Sequence, residues 1–184
     1  MKEKSPYLDQ NNILHLPRSI MVILCGASGS GKSSFAAQHF PETYVVSSDR
    51  CRALVCDDMR SQTVNREAFE LVNHIARLRM ALGCTTIIDS TALQEFARQS
   101  LLHLAHYYSY PTLLLVFDVS EEVCAARDAA RIDPPPVGRE VVALQFELFR
   151  ELLAKVTNEG FGTVIVLKSE QINQVRVQLE ENHR

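Results

Sequence analysis

Apolar residues in this chain fall into short unbroken runs separated by longer stretches with a helical period. The runs are Ile20–Cys25, Thr43–Ser47, Thr85–Asp89, Pro111–Phe117 and Thr163–Leu167. Their Val, Ile and Leu residues follow one another without polar alternation, which predicts strands covered on both faces, as in a parallel sheet. Between them, Val64–Leu82 carries Ala68, Phe69, Leu71, Val72, Ile75, Leu78 and Leu82 as a helical stripe that stops at Gly83. Ala92–Tyr107 repeats the pattern more weakly. Glu121–Arg131 and Glu140–Val156 follow, the latter with Val141, Leu144, Leu148, Leu152 and Val156 on one face. Gln171–Glu181 is expected to close the chain as a helix.

Residues 1–18 are polar and unpatterned up to Leu14, broken by Pro6 and Pro17, and are expected to form a loosely attached lead-in. From residue 19 to 184 the alternation of strands and helices predicts one α/β domain. It is expected to be a three-layer sandwich with a parallel sheet of about five strands and helices on both faces.

The first apolar run leads directly into Gly26-Ala27-Ser28-Gly29-Ser30-Gly31-Lys32-Ser33. The following Ser34–Phe40 reads as a short helix. Strand, glycine-rich turn and helix together make the context of a phosphate-binding loop. Glycines let the backbone wrap an anion with its N–H groups turned inward, and the helix N-terminus adds positive potential. The cradle therefore runs from Gly26 to Ser34. Lys32 is placed to reach the β- and γ-phosphates, and the Ser33 hydroxyl to ligate Mg²⁺. A nucleoside triphosphate is the expected ligand.

Composition narrows the class. At 184 residues, 46% hydrophobic and 22% charged, the chain has the make-up of an ordinary globular domain. Its net charge of −3 argues against a generally basic nucleic-acid coat. Arginines outnumber lysines 14 to 5, which suits local bidentate phosphate recognition. The five cysteines are scattered with no C-x-x-C pair, so neither a disulfide framework nor a zinc site is expected. No apolar run approaches the roughly 18 residues that span a bilayer. A cytoplasmic location without membrane contact is expected.

Absent features remove several classes of triphosphate-binding protein. The chain has neither the Asn-Lys-x-Asp of switch GTPases nor the Ser-Gly-Gly-Gln of transporter ATPases, and it is too short for a helicase pair. Small kinases remain, with an acceptor site after the second strand and a mobile lid. That strand ends in Ser47-Ser48-Asp49-Arg50-Cys51-Arg52. Ligands of open parallel sheets sit beyond the carboxyl ends of the strands, so Asp49 is expected beside the γ-phosphate. A carboxylate there can take the proton of an attacking hydroxyl, or it can simply cap the next helix. Arg52, one turn on, is placed to hold an acceptor phosphate.

At this point the chain resembles the kinase domain of bacterial polynucleotide kinase–phosphatase, which heals broken RNA and DNA ends. The resemblance runs from Val22 nearly to the end. It rests on residues 26–36, on Val46-Ser-Ser-Asp-Arg-Cys-Arg at 46–52, and on Leu54-Val55-Cys56-Asp57-Asp58 with Gln62. Ile88-Asp89-Ser90-Thr91 with Gln94, and Val123–Arg127 with Arg131, complete it. It implies an ATP- and Mg²⁺-dependent transfer to a 5′-hydroxyl end of RNA or DNA, and phosphatase or ligase modules fused to or associated with the kinase. It further implies Asp49 as general base, Arg52 as acceptor-phosphate contact, and Arg127 and Arg131 as lid arginines over the ATP phosphates, in a lid around 127–139. Four apart, Arg127 and Arg131 are expected on one side of a helix, where pairing with Glu121, Glu122 or Asp128 is the alternative.

Two departures from the family pattern stand out. Ala92 follows Thr91 where the family has asparagine, and Pro134-Pro135-Pro136 replaces a lid segment that commonly carries another arginine, with Arg139 beyond it. Proline limits rearrangement, so a stiffer lid is expected.

Asp89, ending an apolar strand, is either a carboxylate that orders Mg²⁺ water or a helix cap. Asp57 and Asp58 read as an exposed acidic turn, His103 and His106 as a surface pair, and Tyr107, Tyr108 and Tyr110 as packing residues. Three functions stay open: a polynucleotide 5′-hydroxyl kinase, a small-metabolite kinase on the same scaffold, and a nucleotide-binding regulatory module that transfers nothing.

Overall fold

The structure is a computed structural model and describes residues 6–132 and 135–180. Along the chain run β1 (Ile13–Leu16), β2 (Met21–Cys25), α1 (Lys32–His39), β3 (Val45–Ser47), α2 (Ser48–Cys56), α3 (Asn65–Ala81) and β4 (Thr86–Asp89). They are followed by α4 (Glu95–Tyr107), β5 (Thr112–Asp118), α5 (Glu121–Ala129), α6 (Arg139–Lys155), β6 (Thr163–Lys168), α7 (Ser169–Ile172) and β7 (Arg176–Leu179). Five strands form one parallel sheet in the order β3-β4-β2-β5-β6. This is the expected α/β sandwich, with β2 at its centre and the phosphate loop at the carboxyl end of β2.

All five residues of β2 are fully buried, and the two sides of the strand enter different cores. Met21, Ile23 and Cys25 join Ile88, Leu114 and Val116 under α3, α4 and α6, where Ala68, Val72, Leu101, Phe146 and Phe149 pack. Val22 and Leu24 join Ile87, Leu113, Leu115 and Phe117 on the other face, against Phe35 and Ala36 of α1. A strand with no polar side is what a doubly covered sheet requires, and each fully buried Leu or Ile contributes about 1.5–3 kcal/mol.

Four expectations are corrected. The lead-in is not loose: β1 pairs in parallel with β7, and Leu14 and Leu16 are buried in the second core. The expected helix over 171–181 is instead the single turn α7 followed by β7 (Glu181 lies outside the described residues). In α6 the buried stripe is Val142, Phe146, Phe149 and Leu152, while Leu144 is 62% exposed. Both series have helical spacing, and the partner sheet takes the two phenylalanines. In α3 the small residues Ala68 and Ala76 meet the sheet, and Leu78 and Leu82 face outward.

Gly83 does end α3, at φ 71° after the cap Leu82. Among the described residues no helix is long and apolar enough to cross a membrane. All five cysteines are free thiols, three of them buried.

Candidate active site

The loop after β2 is shaped by contacts that a side chain would destroy. Gly29 has φ 82°, and a Cβ there would lie 2.2 Å from the carbonyl oxygen of Cys124 on α5. Gly26, at φ 154°, approaches the Phe117 carbonyl at the end of β5, and its N–H donates to the Thr91 carbonyl at 3.0 Å. Gly31, at φ 98°, is the N-cap of α1. The loop is thus braced from β5, α5 and the segment after β4.

Lys32 is nearly buried. Its Nζ donates to the carbonyls of Gly26 at 2.8 Å and Ala27 at 2.9 Å, and to Ser30 Oγ at 3.3 Å. Burial pushes its ammonium below the usual lysine range, and Asp89 pulls it back. Asp89, at the end of β4, is also nearly buried. Burial raises its carboxyl above the usual range against the opposing effects of Lys32 and of a hydrogen bond with Ser33, and the nearby Asp49 raises it further. The N-cap position of the helix after β4 is Gln94, five residues on, so Asp89 is not its cap.

Ser33 hydroxyl and Asp89 carboxylate make a hard oxygen pair beside the loop, which fits Mg²⁺ when phosphate oxygens and water supply the remaining ligands. Among the described residues there is no group of three or more His, Cys, Asp or Glu that could hold a metal alone.

Asp49 is on the first turn of α2. The cap is Ser47, whose Oγ accepts the Arg50 N–H at 3.4 Å, so the Asp49 carboxylate is not used as the cap. Arg52 Nη1 donates to Asp49 Oδ1 at 2.5 Å, and its Nε donates to Asn65 Oδ1 at 2.9 Å. Asn65 in turn donates to Gln62 Oε1 at 2.8 Å. The Arg52 side chain is 11% exposed and that of Asp49 is 53% exposed. The arginine is therefore held by two direct partners, Asp49 and Asn65, with Gln62 behind Asn65, and the carboxylate stands half exposed.

Two clefts meet at the loop. The larger, about 790 Å³, is lined by Lys32, Ser33, Asp49, Arg52, Asp89 and Arg131 among others. The smaller, about 370 Å³, lies over Gly29, Gly31 and Ser34 and is closed by Arg127, Ser169 and Asn173. Arg131 lines both. The predicted residues Lys32, Ser33, Asp49, Arg52 and Arg131 are thus brought together, with Arg127 on the smaller side only.

One geometric expectation fails here. α5 ends at Ala129, so Arg131 lies beyond the helix that carries Arg127 and pairs with Asp128 at 3.7 Å. Asp128 is buried and also accepts the N–H groups of Val137 at 3.3 Å and Gly138 at 3.0 Å. The described ends of the expected lid are tied together by this one carboxylate. Asp133 and Pro134 fall outside the described residues. Arg139 begins α6 and lines neither cleft.

Ala92 sits at φ 47°, in the left-handed region that favours Asn and Gly. Here the conformation is held by the buried Arg98, whose Nη1 donates to the Ala92 carbonyl at 2.6 Å while the guanidinium pairs with Glu159.

Asn65, Gln145 and the turn at 169–173 also line the two clefts, and nothing in their local sequence pattern differs from that of surface positions. Of the weaker candidates, Asp57 and Asp58 lie in an exposed turn, and His103 and His106 are exposed on α4. Tyr110 donates its hydroxyl to the Cys84 carbonyl at 2.7 Å and packs on the core.

A parallel sheet carrying a glycine loop, a buried lysine and a serine–carboxylate pair at its carboxyl edge defines a phosphate-loop domain of the kinase-like type. Within that class, the chain belongs to the AAA domain family (AAA_33), whose model matches residues 21–156.

Solved structures share the fold. APS kinase CysC of Mycobacterium tuberculosis, in complex with AMPPNP and APS, is 18% identical over 86% of this chain and 95% of its own, with a TM-score of 0.52. A chain of the Pnkp1/Rnl/Hen1 RNA repair complex is 24% identical over 80% of this chain, with a TM-score of 0.64, and this protein spans 48% of its length. A gluconokinase from Sinorhizobium meliloti is 16% identical over 86% of this chain and 90% of its own, with a TM-score of 0.54. No curated protein sequence matches significantly.

Proposed function

We propose that this protein is a cytoplasmic kinase that transfers the γ-phosphate of ATP to the 5′-hydroxyl end of RNA or DNA. The observation that carries the proposal is the placing of Asp49 and Arg52, joined by an ion pair, across one cleft from Lys32, Ser33 and Asp89. A base and an anion anchor thus face the phosphate loop. Arg52 is spaced one helical turn from Asp49, as an acceptor with a phosphate next to its reacting hydroxyl would need. The residue-level resemblance over 46–52 supports the same acceptor, and a component of an RNA repair complex is among the proteins that share the fold.

In this reading the acceptor oxygen attacks the γ-phosphorus as its proton passes to the Asp49 carboxylate, and the bond to the β-phosphate oxygen breaks to release the diphosphate. Lys32 turns from the Gly26 and Ala27 carbonyls to the phosphates. Arg131, between the clefts, meets the group in transit, while Arg127 holds the donor side. Arg52 binds the acceptor's neighbouring phosphate and orients Asp49. Mg²⁺, held by Ser33 with Asp89 behind it, would supply charge neutralisation on the phosphates.

The test is incubation with γ-labelled ATP, Mg²⁺ and a 5′-hydroxyl oligonucleotide, RNA and DNA in parallel. End-labelled product is expected. ATP binding without label would overturn the acceptor assignment, and label on a small sugar or sulfate ester instead would move the protein to metabolite phosphorylation.

A further inference from the structure

One loop amide is already engaged by a side chain from far along the sequence. The Ser28 N–H donates to Gln145 Oε1 at 2.7 Å. Gln145 is on α6, a helix fixed in the core by Val142, Phe146 and Phe149, so its position is set by packing. The amide orientation is set by chemistry, because an N–H can be matched only by the carboxamide oxygen.

Ser28 differs from its neighbours in where it faces. It lines the larger cleft with Asp49 and Asp89, whereas Gly29, Ser30, Gly31 and Ser34 line the smaller one. With the nucleoside on the smaller side and the acceptor on the larger, the Ser28 amide belongs to the last phosphate of the donor. A carboxamide oxygen is a neutral stand-in for a phosphate oxygen at that amide.

We propose that Gln145 is a positioning residue that reads the terminal phosphate, holding the Ser28 amide until a triphosphate displaces it and then turning its NH₂ to that phosphate. A diphosphate does not reach Ser28 and leaves Gln145 in place. The inference rests on the reading of the loop as a triphosphate site but not on the identity of the acceptor. Its consequence is specificity: the chain distinguishes ATP from ADP through α6.

The test compares the affinities of ADP and of the β,γ-imido analogue of ATP, with Mg²⁺, for wild type, Gln145→Glu and Leu144→Glu. The glutamate keeps the acceptor oxygen but repels the terminal phosphate, so Gln145→Glu should bind the analogue about tenfold or more weakly and ADP within about twofold. Leu144→Glu adds the same charge one residue away on an exposed position and should change neither by more than about twofold. In the wild type, the Gln145 side-chain amide resonances should move on adding the analogue and stay in place with ADP, a measurement that needs no variant to fold.

Equal weakening of both nucleotides by Gln145→Glu, no weakening of either, or displacement of Gln145 by ADP alone would overturn the proposal. Analogue discrimination with no oligonucleotide labelled would leave it standing and remove only the acceptor assignment. A wild type that binds neither nucleotide would end both.

Discussion

The smaller cleft is lined by the glycine loop and the start of α1 together with Arg127 and Arg131, whereas the larger is lined by side chains such as Asp49, Arg52 and Asp89. The loop from Gly26 to Ser33 offers amides whose positions are set by contacts with the Phe117, Cys124 and Thr91 backbones. The opposite wall offers Asp49 and Arg52, held by the polar series Arg52–Asn65–Gln62. Backbone recognition is indifferent to side-chain identity except where a Cβ intrudes, so it tolerates change at Ala27 or Ser30 better than at Gly29. Side-chain recognition is the reverse: each member can be changed without clash, and each change alters what is bound. The donor half should therefore be uniform among related chains, and the acceptor half the place where they differ.

Substitutions can break the two halves separately. The largest effect is expected from Asp49→Asn, which keeps shape and removes the proposed base. Phosphate transfer should fall about 10²–10⁴-fold while the affinity for the triphosphate analogue stays within about twofold, as read by single-turnover kinetics beside calorimetry. Full activity would show that another group takes the proton.

On the donor side, Gly29→Ala puts a Cβ 2.2 Å from the Cys124 oxygen at φ 82°. The clash and strain should destabilise the fold by about 3 kcal/mol or weaken nucleotide binding about 100-fold. Unchanged melting together with unchanged affinity would mean that the loop is not braced by α5.

Arg52→Ala should raise the acceptor KM about 10- to 100-fold, the loss expected of a charge-assisted phosphate contact. The donor KM should change little, and if it moves equally the two halves are not separable.

Asp89 gives a pH test. Its folded carboxyl is raised above 3.8 by burial. Its contribution to stability is therefore fully present below the unfolded value and is lost as pH rises through the raised folded value. Asp89→Asn stays neutral, so it should flatten that loss across the acidic range and melt higher than wild type at pH 7. A lower melting temperature at pH 7 would show that attraction to Lys32 outweighs burial.

The smallest effect is expected from Ala92→Gly, which relieves the left-handed conformation behind the loop and should stabilise by about 1 kcal/mol. A melting shift of roughly 2–4 °C would report it.

Much of the fold was legible because the strands are apolar on both sides. Ile20–Cys25 and Pro111–Phe117 could only be doubly covered, and they are. The ribbon of β1 and β7 was not legible, since each is four residues long and meets its partner across more than 150 positions. The buried stripe of α6 differs from the expected one for a related reason: Val141-Val142 and Leu148-Phe149 satisfy the helical period twice, and only the opposing surface selects Val142 and Phe149. At the site, Lys32, Ser33 and Asp49 were visible through local pattern, whereas Asn65 and Gln145 were not, because a single amide side chain on a helix carries no signature.

The sequence by itself determined the phosphate loop, the parallel sheet behind it and a carboxylate–arginine pair one helical turn apart. These follow from spacing within a single strand, turn or helix, where backbone geometry relates position to direction. Only the tertiary structure decided that Asp49 and Arg52 share a cleft with Lys32 and Asp89, that Arg131 stands between two clefts, and that Gln145 reaches the Ser28 amide. Each depends on how separate elements pack, and packing is fixed by the sum of many small apolar contacts that no local stretch of sequence contains.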